Sequence, residues 1–315
     1  MIGETGMARS TSRVVLEKTS RVVPEKAKSR AGFNAILGAT VLCIALTATG
    51  CDKLKARDHL NQGVNAFKTG SYATAADEFR LAIDADPTFG TARLYLATAY
   101  EQQYVPGTVT DENKKFWKAS MDEFTNVLNN NPSDADKLLA TQSVANLYYQ
   151  AATAHGPDEL QDLTDATTWN KKVIELDPKN KAAYYTLGLI PFQEFYNVDK
   201  DTRAAMGMKP DEHAPLKADT KKTTTKADLK AKYWQPLTDG IDDENKALAI
   251  DPNYEEAMSY LSLLLRYRAD LEDTKDAYEA DWKEADVWLN KGMEAQKSNA
   301  ARKAAAAEAG GAPPE

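Results

Sequence analysis

Along residues 56–296, apolar side chains recur three and four positions apart, the spacing that gathers them on one face of an α-helix. Several such stretches end in an acidic or polar residue and a proline: Ala82-Ile83-Asp84-Ala85-Asp86-Pro87, Val127 to Pro132, Val173-Ile174-Glu175-Leu176-Asp177-Pro178, and Ala247-Leu248-Ala249-Ile250-Asp251-Pro252. Proline lacks an N–H and restricts the residue before it, so each helix should stop there. A second apolar pattern then begins, as in Ala92 to Tyr100 and Ala183 to Gly188. The chain therefore reads as tandem helix pairs, an all-α protein.

Small residues recur inside these pairs. The stretch Ala56–Phe89 carries Gly63, Gly70, Tyr72, Ala75, Phe79, Ala82 and Pro87. At these spacings it resembles the tetratricopeptide repeat (TPR), a helix-turn-helix of about 34 residues. The resemblance implies an α-α superhelix of about five repeats across 56–296. In such a fold two helices of a pair cross where both carry a small side chain. The aligned positions are Gly63, Ala97, Ala145, Gly188 and Ser262 on the first helices, and Ala75, Ser120, Ala166, Gly240 and Ala285 on the second.

The prolines fall 45, 46 and 74 residues apart, so the pairs exceed the family length. Lengthening of both helices by a turn or two accounts for repeats two, three and five. The fourth repeat holds a longer insertion, from about 190 to 239, where Pro191 should kink or end the first helix. The final repeat runs into an Ala-rich helix and a Gly/Pro tail, and the 297–315 segment is expected to be disordered.

The first fifty residues are of another kind. No charged residue lies between Ala31 and Gly50, Lys26, Lys28 and Arg30 precede this run, and Thr47-Ala48-Thr49-Gly50 close it before Cys51. A basic flank, an apolar run and a small-residue end make a secretory signal. With Cys51 next, the segment resembles a bacterial lipoprotein signal peptide, although Ala48 stands where that family usually has Leu. The resemblance implies cleavage before Cys51, lipid on its sulfur, and a short tether at 51–55. An uncleaved membrane-spanning anchor is the competing reading, since about 20 apolar residues suffice to cross a bilayer. Either way the body is expected in the periplasm, and inner or outer membrane stays open. Upstream, TSRVVLEK (11–18) is nearly repeated as TSRVVPEK (19–26).

Beyond residue 50 the chain carries 32 basic and 44 acidic side chains, a net of −12. This balance argues against nucleic-acid binding, which needs clustered Lys and Arg. Cys43 and Cys51 are the two cysteines, and His59, His155 and His213 are scattered. The body thus offers neither a disulfide framework nor a cysteine-based metal site. No nucleophile elbow, phosphate-binding glycine loop, H-E-x-x-H or dinucleotide fingerprint is present, so no enzyme activity and no cofactor are expected.

Helix-pair solenoids present a concave face built mainly from their first helices. Alignment of the repeats places Tyr95, Asn146, Tyr149, Tyr185, Phe192, Tyr260 and Tyr267 near it, a set suited to a protein or peptide partner. The same aromatics would equally serve as packing between repeats. A carboxylate clamp is not expected, because Leu60, Val64, Leu94 and Thr98 occupy the matching positions. The insertion contributes seven lysines and four acidic residues over Lys209–Lys232, read as a solvated loop that Tyr233-Trp234 docks onto the helices. The reading is of a lipid-anchored scaffold or assembly factor in the cell envelope. A solute- or glycan-binding lipoprotein and a self-associating spacer are the alternatives.

Overall fold

The computed structural model describes residues 42–153, 159–209, 212–217 and 225–308. Among them are ten helices and no strand: α1 (Leu42–Lys68), α2 (Tyr72–Ala85), α3 (Gly90–Glu101), α4 (Asp111–Asn129), α5 (Asp134–Thr153), α6 (Glu159–Leu176), α7 (Lys181–Ala205), α8 (Lys226–Ile250), α9 (Glu255–Asp270) and α10 (Lys275–Glu308). The chain divides into two compact units, 1–159 and 160–315. In the first, each of α1 to α4 packs on the helix that follows it. In the second, α7 packs on α8, α8 on α9 and α9 on α10, while α7 also reaches α9. Both are successive antiparallel-style hairpins of helices, as the proline spacing predicts.

The Asp-Pro turns form for a local reason. In each of them the aspartate side chain accepts the backbone N–H two residues on: Asp86 from Thr88 at 3.0 Å, Asp177 from Lys179 at 3.1 Å, and Asp251 from Asn253 at 3.0 Å. An Asx turn thus replaces the helical bonding that proline ends.

All ten small crossing residues are buried. A Cβ on Gly63 would lie 2.5 Å from the Phe79 ring, and one on Gly188 would overlap the Glu244 carboxyl. Ser120 Oγ donates to the carbonyl of Ala97 at 2.9 Å, joining the two crossing positions of the second pair directly. Phe79, Ala75, Tyr95 and Leu96 fill the core of the first unit around Phe67.

Three expectations are refined. Of the kink or end expected at Pro191, the end does not occur, and α7 runs through it to Ala205. Pro191 is buried between α7 and α8, with its ring near Gly240, and this tertiary packing holds the helix together across it. In the second repeat the extra length lies in α4 and in a connection at 102–110, while α3 stays at 12 residues. Asn113 organises that connection, accepting from Val105 N at 2.7 Å and donating to the carbonyls of Val105 and Thr108 at 2.8 and 2.7 Å. Finally, residues 51–55 are part of α1, and α10 runs to Glu308, well into the segment expected to be disordered. The alanine run there has the highest helix propensity of any residue. Residues 309–315 lie outside the described residues, as does the signal segment up to 41.

The insertion is largely ordered where it is described. Helix α7 supplies its start, and α8 begins at Lys226 with a capping box between Thr225 and Asp228. Between them, Met208 and Leu216 are buried, and Leu216 N donates to the Asp270 carbonyl at 3.1 Å. The lysine-rich stretch is therefore no single solvated loop. Its two ends are docked, Lys226–Lys232 is helical, and 210–211 and 218–224 lie outside the described residues.

Candidate functional site

The predicted face residues separate into two environments. In the first unit Tyr95 is 3% exposed and stacks on Phe79 with ring centroids 5.5 Å apart, so it belongs to the core. Asn146 is half-buried and its Nδ2 donates to Glu101 Oε1 at 3.5 Å. Burial pushes the Glu101 carboxyl up to about 7, against the lowering effect of Asn146 and Ser143. Tyr149 is half-buried on the same helix as Asn146.

In the second unit Tyr185, Phe192, Tyr260 and Tyr267 form a continuous ladder. Tyr185 meets Tyr260 at 5.7 Å, Tyr260 meets Phe192 at 5.3 Å, and Phe192 meets Tyr267 at 5.6 Å, centroid to centroid. The rungs alternate between α7 and α9, the first helices of two successive pairs. Steps of three and four along α7 bring Tyr185, Gly188, Phe192 and Phe195 to one side, and Tyr260 and Tyr267 repeat at two turns on α9. Tyr185 is 3% exposed and anchors the ladder inside, while Phe192, Tyr260 and Tyr267 are half-buried. These rings present edges and faces at tilted or T-shaped angles, the geometry favoured by the aromatic quadrupole.

Three further rings join it. Tyr254 lies 5.1 Å from Tyr185, Tyr196 lies 5.8 Å from Phe192, and Phe195 sits between Tyr267 at 5.7 Å and Tyr233 at 4.9 Å. Tyr196 is 45% exposed and forms the open end. Phe195 and Tyr196 escape the sequence reading, although Phe192, also beyond Pro191, is in it. The apolar spacing Phe192, Phe195, Tyr196 was the signal that the helix continues.

Next to Tyr196 and Tyr267 lies a buried ionic cluster. Arg203 Nε donates to Asp199 Oδ2 at 3.0 Å, the Arg203 guanidinium also pairs with Asp270, and it reaches the carbonyls of Glu212 and Ala214 at 3.2 and 3.4 Å. Two carboxylates compete for one guanidinium out of water. Burial accordingly raises both acids, Asp270 to about 7. Among the described residues, no group of three or more His, Cys, Asp or Glu side chains is placed to hold a metal ion. Cys51 is exposed on α1. Among the described residues no helix is long and apolar enough to cross a membrane.

No protein-family model matches the chain, and no curated protein matches it. Solved structures do. The chain is similar to a MamA protein, with 16% identity over 78% of this chain and 96% of MamA 41-end from Desulfovibrio magneticus RS-1, at a TM-score of 0.45. It is also similar to YrrB, described as a TPR protein with an unusual peptide-binding site (12% identity, 84% of this chain, 100% of that chain, TM-score 0.42). A third is TTC0263, a thermophilic TPR protein of Thermus thermophilus (14% identity, 78% of this chain, 97% of that chain, TM-score 0.38).

Proposed function

We propose that the chain is a lipid-anchored TPR protein that binds protein partners as a scaffold or assembly factor in the cell envelope, through the aromatic face of α7 and α9. The aromatic ladder carries this reading. A row of half-buried rings on consecutive first helices offers large contact area at low conformational cost, the chemistry of protein-binding hot spots. The Cys51 signal supports the anchor, since two or more acyl chains hold a protein stably at a membrane. A net of −12 on the exported body favours a partner with basic residues around an apolar segment.

Cross-linking capture from envelope extracts, with the full chain as bait, tests the reading. A partner should be captured by the parent chain and lost with Phe192→Ala or Tyr260→Ala, while helical content stays unchanged. Capture that is indifferent to both substitutions would place the binding face elsewhere. For the anchor, incorporation of labelled fatty acid should occur in the parent chain and vanish in Cys51→Ser.

A further inference from the structure

Helix α10 is the longest of the described helices, with 34 residues against 16 in α9, on which it packs. Its inner face holds Ala285, Gly292 and Asn299, spaced two turns apart. Ala285 is fully buried, and a Cβ on Gly292 would touch Met258 and Ser259 of α9. Asn299 Nδ2 donates to Glu255 Oε2 at 2.8 Å, at the first residue of α9. From there the helix continues to Glu308, so it overhangs α9 by about 13 Å.

Beside that inner face runs a second, open stripe. Trp282, Leu289, Met293 and Ala300 follow at steps of seven, four and seven, which places them on one side of α10. Trp282 is half-buried beneath Arg266 and His213, and Ala300 is exposed. Leu289 is 37% exposed and Met293 45%. Apolar residues at helical spacing are the face on which another helix packs.

The charges along α10 indicate which helix. From Lys275 to Asp286 there are five acidic and two basic side chains, and from Lys291 to Lys303 one acidic and four basic. The helix macrodipole favours that order only within the terminal turns. Asp286 lies eleven residues after Lys275, and Lys297 eleven before Glu308, so the dipole does not account for them. A second α10 running antiparallel would set each acidic half against a basic half. Two-fold symmetry about a point near Lys291 then brings Leu289 onto the second copy's Met293, and Trp282 onto its small Ala300. Asp286 and Lys297 lie three turns apart on one edge of the stripe, and like edges face each other across such an axis. Each Asp286 therefore meets the second copy's Lys297, while its bond to Arg266 leaves it mostly exposed. The stripe is about 27 Å long, which makes for a small interface and a weak dimer.

We propose that α10 is a self-docking surface through which two copies of this chain pair antiparallel, Leu289 against Met293 and Asp286 beside Lys297. The aromatic ladder on α7 and α9 takes no part, so this proposal and the scaffold reading are tested separately.

The full chain, in a density-matched detergent, is followed by sedimentation equilibrium from about 1 to 100 μM, and it should pass from monomer to dimer across that range. Met293→Lys should weaken association about tenfold or more. Val287→Lys, at an exposed position away from the stripe, should leave it unchanged. Asp286→Lys and Lys297→Glu should each weaken it about fivefold, and the double variant, which restores the pair with signs exchanged, should return to within about twofold of the parent. All four positions are exposed, so helical content should match the parent's. A chain that stays monomeric to about 100 μM would overturn the proposal. So would association untouched by Met293→Lys, the result expected from pairing through the segment before Cys51 or from shared micelles. A double variant no better than either single one would overturn the antiparallel pairing itself.

Discussion

The two units use one repeat pattern to opposite ends. In the first, the aromatic at a face position turns inward: Tyr95 stacks on Phe79 and seals the interior. In the second, face aromatics stack on one another, from the buried Tyr185 out to the half-exposed Tyr196. The buried charges differ likewise. Among its described residues the first unit buries a single carboxyl, Glu101, answered by the neutral Asn146 and Ser143. The second buries a guanidinium between two carboxylates and uses it to hold the insertion. Small residues at helix crossings set the frame in both, and the large residues around that frame decide whether a face becomes core or surface.

The strongest way to break this comparison is Arg203→Ala. It leaves two buried carboxylates unpaired and releases the carbonyls of Glu212 and Ala214, at a cost of about 3–5 kcal/mol. Thermal unfolding should fall accordingly, and limited proteolysis should cut within 206–225 before the rest of the chain.

Paired substitutions at Tyr95 and Tyr260 sharpen the contrast between core and face. Tyr95→Ala should cost about 3 kcal/mol, because it empties a core position. Tyr260→Ala, half-buried, should cost about 1–2 kcal/mol in stability and be felt chiefly in partner capture. Equal losses of stability at the two sites would mean that the ladder is core as well.

The third test is a pH profile. A carboxyl whose folded pKa is raised destabilises the folded state when it ionises. For Glu101 that cost is absent below about 4.5, its ordinary value, and grows as pH rises to about 7. Stability should therefore decline from pH 5 to pH 8, by an amount on the order of 3 kcal/mol or less for this group. Asp270 and Glu244, both raised by burial, add in the same direction. Glu101→Gln keeps a hydrogen-bonding partner for Asn146 and should flatten part of the slope. A profile unchanged by this substitution would assign the pH dependence to the second unit.

Much of this was legible beforehand, and the reasons are local. Asp-Pro turns form within three residues, so their positions follow from composition. Close crossings follow from a steric rule that tolerates little, as at Gly63, which admits no Cβ against Phe79. The face residues were harder. Tyr95 and Tyr185 occupy similar positions in the repeat pattern, and both turn out to be buried. What distinguishes their surroundings is which rings the neighbouring helices bring up.

By itself, then, the sequence determined the helix pairs, their turns and the close crossings, because these depend on backbone restrictions and on side-chain size at short range. Only the tertiary structure decided that α7 passes through Pro191 and that Asp199, Arg203 and Asp270 meet. The ionic cluster alone joins residues 71 positions apart, Asp199 and Asp270, through the packing of α7, α9 and the insertion. Periodicity along a chain records which face a residue occupies. It does not record which residues from other helices arrive at that face, and here those arrivals decide where the charge is buried.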